Sequence, residues 1–382
     1  MNDTENYKLL VESIFGQGTC TFDITDNSTN KVIGALNSSN FTPFTSSFTE
    51  RLKRLNTLYS SHKNFQDLLN TINQVADQKN WEGAYAELVA YDFLNSDTNL
   101  MSEPIDLETT VPASDTVAQN LGYQHANFDG KYQDFNIYFD VKILSDKTDQ
   151  ILSGIFKEVQ QKLGRTDFLI SPEYPLDLDY EVFEQNRKKL LEELLTKLDN
   201  QQEPVFIKSM IVSDLKYAII WRTGMSKTES TYNPYLHAKN HYKLLFKHAK
   251  KFSRVNPSLI VFVVFPWFSE RALNSNLDSS NEKFYRSFAR RFFCDYSSKS
   301  TKAQVIYKKY SGQESIFDIT KQLSGVLFLE DQSITSSEPK DQNIKAFAYL
   351  NPNANHKIGR GFYFDYLNNL EFFIDDFEFD NY

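Results

Sequence analysis

The 382-residue sequence predicts an α/β fold in which a mixed central sheet is flanked by helices on both faces. Three observations carry that expectation. The run SLIVFVVF (258–265) is apolar on both faces, as a central sheet strand should be. The stretch HANFDGKYQDFNIYFDVKIL (125–144) reads as two short strands joined by a turn. Helically spaced apolar residues lie on either side of both, so the order is helix, hairpin, helix, buried strand, helix, strands.

Residues 1–78 are expected to form a mostly helical N-terminal region. NYKLLVESIF reads as a helix, and Asn27 to Ser47 as loops with a short strand around Val32. Leu52, Leu55, Leu58 and Tyr59 mark one helix; Phe65, Leu68, Leu69 and Ile72 mark another. In WEGAYAELVAYDFLN (81–95) Trp81, Ala84, Tyr85, Leu88, Tyr91 and Leu94 fill one arc at about 100° per residue. Glu87 and Asp92 both fall within that arc, and Glu82 points away.

After the hairpin, DQILSGIFKEVQQKL (149–163) reads as a helix. Residues 167–235 read as an insertion with a charged helix (EVFEQNRKKLLEELLTKL) and two strand-like runs, VFIKSMIV and YAIIWRT. Two basic helices follow, LHAKNHYKLLFKHAKKF (236–252) and NEKFYRSFARRFFCDY (281–296), then strands SGVLFLE (324–330) and KAFAYL (345–350). The core is thus expected over 79–361. An acidic tail, 362–382, follows, and its end, DDFEFDNY, is expected to be solvated.

Composition narrows the function. Hydrophobic residues make up 41% and charged residues 24%, which describes an ordinary globular protein. Two cysteines, Cys20 and Cys294, exclude a disulfide framework or a cysteine-rich zinc site and fit a reducing cytoplasm, where the chain is expected. The longest apolar run, LIVFVVFPWF (259–268), has about half the residues a membrane-spanning helix needs, so no membrane partner is expected. A net charge of -9 argues against wholesale coating of nucleic acid, yet residues 236–310 carry fifteen Lys/Arg against four acids. That excess predicts phosphate-backbone contact through 236–254 and 281–296. No phosphate-binding loop of the NTPase type and no Ser-His-Asp signature can be read. His237 and His241 stand four apart with no acid between them in the metalloprotease manner, and read as ordinary groove or surface histidines.

The hairpin carries the chemistry. Strand alternation turns Phe135, Ile137, Phe139 and Val141 one way and Asn136, Tyr138, Asp140 and Lys142 the other. Asp140 and Lys142 are therefore same-face neighbours, roughly 6.5–7 Å apart along the strand. Asp129 lies eleven residues upstream, immediately before Gly130, and a turn through Gly130–Asp134 would bring it alongside Asp140. Other readings stay open: a solvated Asp140–Lys142 pair, Asp129 as a turn residue, Asp134 in its place, or Asp92 instead of Glu87.

A helix with Glu87, a strand ending in Asp129, and a strand with Asp140-x-Lys142 resembles the PD-(D/E)xK nuclease superfamily. The resemblance covers roughly residues 80–165, with Gln160 a weak match to a polar position on the following helix. It departs from the family in having Phe128 before the first Asp and Asp140 where Glu is more usual. It implies a restriction-endonuclease-like core and a catalytic set of Glu87, Asp129, Asp140 and Lys142. The three acids would hold Mg²⁺, with Mn²⁺ as a substitute. Carboxylates and a phosphodiester repel each other by about 1 kcal/mol per pair at 4 Å in water and about 4 at an effective dielectric of 20. A bridging cation is what such a site needs. The expected function is phosphodiester hydrolysis, of DNA in preference to RNA, in restriction, phage defence or repair, with a homodimer as one arrangement. The competing expectation is a nucleic-acid-binding protein without catalysis.

Overall fold

The computed structural model describes residues 3–25, 30–96, 102–144, 147–165, 167–174, 180–199, 203–221, 234–241, 244–265, 278–295, 310–333, 344–358 and 372–377. It is an α/β protein with a mixed central sheet. In chain order the strands are β1 (Asp106–Pro112), β2 (His125–Tyr132), β3 (Ile137–Ile143), β4 (Phe168–Glu173), β5 (Val205–Lys208) and β6 (Lys216–Trp221). They continue with β7 (Ser258–Val264), β8 (Gly325–Asp331), β9 (Ile344–Leu350) and β10 (Phe372–Asp375). The chain divides into two compact units, residues 1–144 with 242–382, and residues 145–241.

The first unit holds a seven-stranded sheet in the order β1-β2-β3-β7-β8-β9-β10. β3, β7 and β8 run parallel at its centre, and β1–β2, β2–β3 and β8–β9 are antiparallel. All seven residues of β7 are buried, which is why its sequence is apolar on both faces. Helix Trp81–Leu94 packs against β3, and helices Thr42–Tyr59 and Phe65–Gln74 cover its outer side. It is therefore buried nearly all round, not along one stripe.

Three local expectations fail here, each for a tertiary reason. The strand expected around Val32 is the helix Lys31–Leu36, started by the Asn30 side chain accepting the Ile33 N–H and by burial of Val32, Ile33 and Ala35. The continuous basic helix 236–252 is instead Pro234–His241, Leu244–Lys247 and a single turn Ala249–Lys251, with 242–243 outside the described residues. The Phe252 carbonyl accepts the Val117 N–H and Ser253 bridges Thr116, so the chain leaves the helix to pair with another segment. The second basic helix runs Asp278–Arg290 and closes in a π turn. Residues Phe372–Asp375 of the tail add β10 alongside β9, and Phe377 is buried, so this part of the tail is not solvated.

The second unit is a three-stranded antiparallel sheet, order β4-β6-β5, under helices Lys147–Leu163 and Arg187–Leu198. Leu152, Ile155, Val159, Leu190, Leu194, Tyr217 and Ile219 form its core. Helix Lys147–Leu163, expected to belong to the main core, packs with this unit. Among the described residues no helix is long and apolar enough to cross a membrane.

Candidate active site

The β2–β3 ladder runs from Tyr132↔Ile137 to Gly130↔Phe139 and stops. The next position in register sets Asp129 opposite Asp140. There the strands part, and the Val141 N–H donates to Asp129 Oδ2 at 2.6 Å in place of a ladder bond. Gly130 is thus inside a strand and not in a turn. A Cβ on it would run into the Phe139 ring and stand 2.8 Å from the Asp106 carbonyl oxygen, so the close approach needs glycine. The turn lies later, at 133–136, with Asn136 in the left-handed region at φ 53°. Phe135 consequently sits in the turn, 39% exposed, while Ile137, Phe139 and Val141 join the core as expected.

Asp140 is fully buried. Lys251 Nζ donates to its Oδ1 at 2.6 Å, and Lys142 Nζ lies 2.7 Å from its Oδ2. Lys142 Nζ, with three N–H groups, also donates to the Val141 carbonyl at 2.7 Å. Burial alone pushes the Asp140 carboxyl up; the charges of Lys142 and Lys251 outweigh it and hold it below the usual range. Lys142 also lies 3.7 Å from Asp129 Oδ2. Burial works against its charge, and Asp140, Asp129 and Glu87 together raise its pKa nonetheless.

The other carboxylates move the opposite way. Burial, then the charge of Asp140, raises Asp129. Glu87 is pushed up to about 8 by burial, then by Asp129 and Glu108, with Lys142 and a 3.4 Å contact from Thr71 Oγ1 partly offsetting them. Glu87 therefore shares one electrostatic neighbourhood with Asp129 and Lys142.

Two residues escaped the sequence reading. Lys251, expected on a helix facing phosphates, turns inward onto Asp140 and over the ring of Phe128, 5.6 Å from its centroid. Glu108 lies between the β1–β2 pairs Leu107↔Gly130 and Thr109↔Phe128, opposite Asp129, with φ 50°. The residue is exposed as a whole, and partial desolvation of its carboxyl, then Asp67, raises its pKa. Neither has a local sequence signal, since both reach the site through strand pairing or a broken helix. His248 belongs to the same surroundings: burial, then Lys142, lowers its ring to about 4.

The rivals have other roles. Asp134 is in the exposed turn and accepts from the Ser102 N–H and hydroxyl. Asp92 is buried and paired with Arg51 and Arg54. The Gln160 side-chain amide donates to the Phe168 carbonyl within the second unit. The side chains of His237 and His241 lie outside the described residues.

The donor set is all oxygen, the class that Mg²⁺ and Mn²⁺ prefer. In this arrangement no three His, Cys, Asp or Glu side chains among the described residues gather as ligands of one cation. The ammonium groups of Lys142 and Lys251 supply the countercharge instead. Each oxygen of buried Asp140 already faces an ammonium, Oδ1 that of Lys251 and Oδ2 that of Lys142, so a cation reaching Asp140 would have to take the place of one of them. No family model matches the chain, and neither the curated proteins nor the solved structures give a significant match.

Proposed function

We propose that the chain is a divalent-metal-dependent nuclease on a restriction-endonuclease-like core, hydrolysing DNA phosphodiester bonds. The observation that carries this reading is the opening of the β2–β3 ladder at Asp129 and Asp140, with Lys142 between them and Glu87 within reach of their charges. Asp129 and Asp140 would hold Mg²⁺ or Mn²⁺, with Glu87 a ligand directly or through water. The cation, when bound, lowers the pKa of a coordinated water and neutralises phosphate charge.

The chain's own residues do the rest. Lys142, kept protonated chiefly by Asp140 and Asp129, orients the attacking water or stabilises charge on the phosphoryl oxygens. Glu87, half-buried with its pKa near 8, is suited to exchange a proton close to neutral pH. Phosphate-backbone contact falls to the basic segments. Lys239 and Lys247 are exposed, whereas Arg254 and Arg286 are paired with Glu314 and Asp375 and Lys251 faces Asp140.

Cleavage of plasmid and single-stranded DNA and RNA under Mg²⁺ and Mn²⁺ tests the reading. Asp140→Ala and Lys142→Ala should each lower the rate by roughly 10²–10³ or more. Undiminished cleavage in both variants would overturn the site. The double ammonium pairing of Asp140 favours a second reading, a nucleic-acid-binding protein without catalysis. Salt-sensitive binding with no cleavage under either cation would select it.

A further inference from the structure

Lys251 is the unexplained member of the site. A lysine of a basic segment, expected at the surface, is 7% exposed and hydrogen-bonded at 2.6 Å to a carboxylate that already has a lysine two residues along its own strand. Asp140 thus has one ammonium on each oxygen. We propose that Lys251 is a resident counter-cation of Asp140 that a divalent metal must displace. The inference rests on the metal-dependent reading above and adds to it a mechanism that sets cation affinity.

Three observations distinguish Lys251 from Lys142 as the group that leaves. Lys142 is tied to the Val141 carbonyl and to Asp129 as well as to Asp140, and it stands on a strand hydrogen-bonded into the sheet. Lys251 reaches Asp140 from a one-turn segment whose backbone is fixed through the Lys251 N–H to His248 and the Phe252 carbonyl to Val117. Release therefore requires rotation of a side chain and no movement of the sheet. Lys251 also lies over the face of Phe128, which stacks on Tyr138 with centroids 4.8 Å apart. That aromatic surface can keep its methylene stem covered after the ammonium has left the carboxylate. A cation on Asp140 Oδ1 would occupy the position that the Lys251 ammonium now holds at 2.6 Å, so a metal and Lys251 are alternative partners of that oxygen.

The displacement also fixes where Lys251 goes. A lysine freed from Asp140 remains beside a cation-loaded site and becomes a phosphate contact there. The same side chain would then hold the carboxylate when the site is empty and the substrate when it is loaded.

The test uses the full-length chain, with Mn²⁺ as the probe and its binding followed by electron paramagnetic resonance. Lys251→Met should bind Mn²⁺ at least about tenfold more tightly than the unaltered chain, equivalent to ~1.4 kcal/mol. Lys251→Arg, which keeps a cation, should not, and Asp140→Asn should abolish the gain. Where Lys251→Met does not fold, amine-reactive labelling read by peptide mass spectrometry serves on the unaltered chain. Lys251 should be protected without metal and labelled several-fold faster with Mn²⁺, and adding Mn²⁺ to Asp140→Asn should not change its labelling. Asp140-dependent Mn²⁺ binding with unchanged Lys251 labelling, or with equal or weaker affinity in Lys251→Met, overturns the displacement and leaves the metal reading standing. Absence of any Asp140-dependent Mn²⁺ binding overturns both.

Discussion

Two clusters of charge are centred on strand residues that point to opposite faces of the central sheet, Asp331 and Asp140, and they treat their charges differently. On one face Arg51 lies between Asp92 and Asp331, its Nη1 donating to the Tyr85 hydroxyl at 3.1 Å. That hydroxyl donates to Asp331 Oδ2 at 2.6 Å, the Ser333 N–H donates to Asp331 Oδ1, and Arg54 forks onto Asp92 at 2.8 and 2.7 Å. Both carboxylates have hydrogen bonds and a guanidinium. Around Asp140 each oxygen meets a lysine ammonium, while the neighbouring Asp129, Glu87 and Glu108 all have raised pKa values. The register places Asp140 level with Ile260 and Val326, and Asp331, five residues beyond Val326, points to the opposite side. The first network is closed by hydrogen bonds among its own members; the second crowds acids whose protons burial and mutual charge hold on, the kind of crowding that clusters at functional sites.

The sharpest way to break this contrast is to delete the central cation of the closed cluster. Arg51→Met leaves Asp331, fully buried, without its guanidinium and should cost about 3–5 kcal/mol in chemical denaturation. Tyr85→Phe removes a hydroxyl bonded to both Arg51 and Asp331 and should cost about 1–3 kcal/mol. Neither variant, where folded, should alter Asp140-dependent Mn²⁺ affinity. A shift in that affinity would show that the two faces are coupled.

Glu87 sharpens the contrast from the other side. Its carboxyl titrates near 8 in the folded chain against an ordinary value of 4.5, so the folded state holds a proton that the unfolded state releases. Its contribution to stability is fully present below about 4.5 and is lost as pH rises through about 8. Glu87→Gln should flatten that decline in urea midpoints measured across the window. Below about pH 4.5 the substitution should change stability little, and at neutral pH the variant should be the more stable chain, because unfolded Glu87 has by then released the proton that the folded state must keep. His248 has the opposite sign. With its folded value near 4 and an ordinary value of 6.5, its contribution is present above 6.5 and lost as pH falls through about 4. A His248→Gln chain should lack that acid limb and keep the Glu87 decline.

Much of the site was legible from strand alternation, which depends only on local sequence. A period of two put Asp140 and Lys142 on one face and away from Phe139 and Val141, and the structure keeps that division. Choosing Glu87 over Asp92 was harder, because a helix buried on nearly all sides has no single informative arc. Asp92 is paired by arginines from a helix forty residues earlier, which no local pattern shows. Lys251 was misplaced for a similar reason. The spacing of 236–252 suits a helix, and pairing between Val117 and Phe252 overrides it. In the tail, acids obscured a strand whose Asp375 meets Arg286 at 2.6 Å.

The smallest expected effect tests whether strain also separates the two faces. Glu108 holds φ 50° opposite Asp129, where an L-residue other than Asn or Asp is unfavourable, and its carboxyl is raised by partial desolvation and by Asp67. Were the residue there for stability, a relaxed backbone and a neutral side chain would be expected. Glu108→Gly removes the backbone strain and an acid from a crowded field, against the larger entropy a glycine loses on folding. The balance should be a gain of up to about 1 kcal/mol in denaturation at pH 7, accompanied by weaker Mn²⁺ binding. Stability gained with Mn²⁺ affinity unchanged would assign Glu108 to the edge of the sheet and not to the site. Stability lost would show that the left-handed turn of β1 is held by Glu108 contacts, and the contrast between a relaxed face and a strained one would fail at that position.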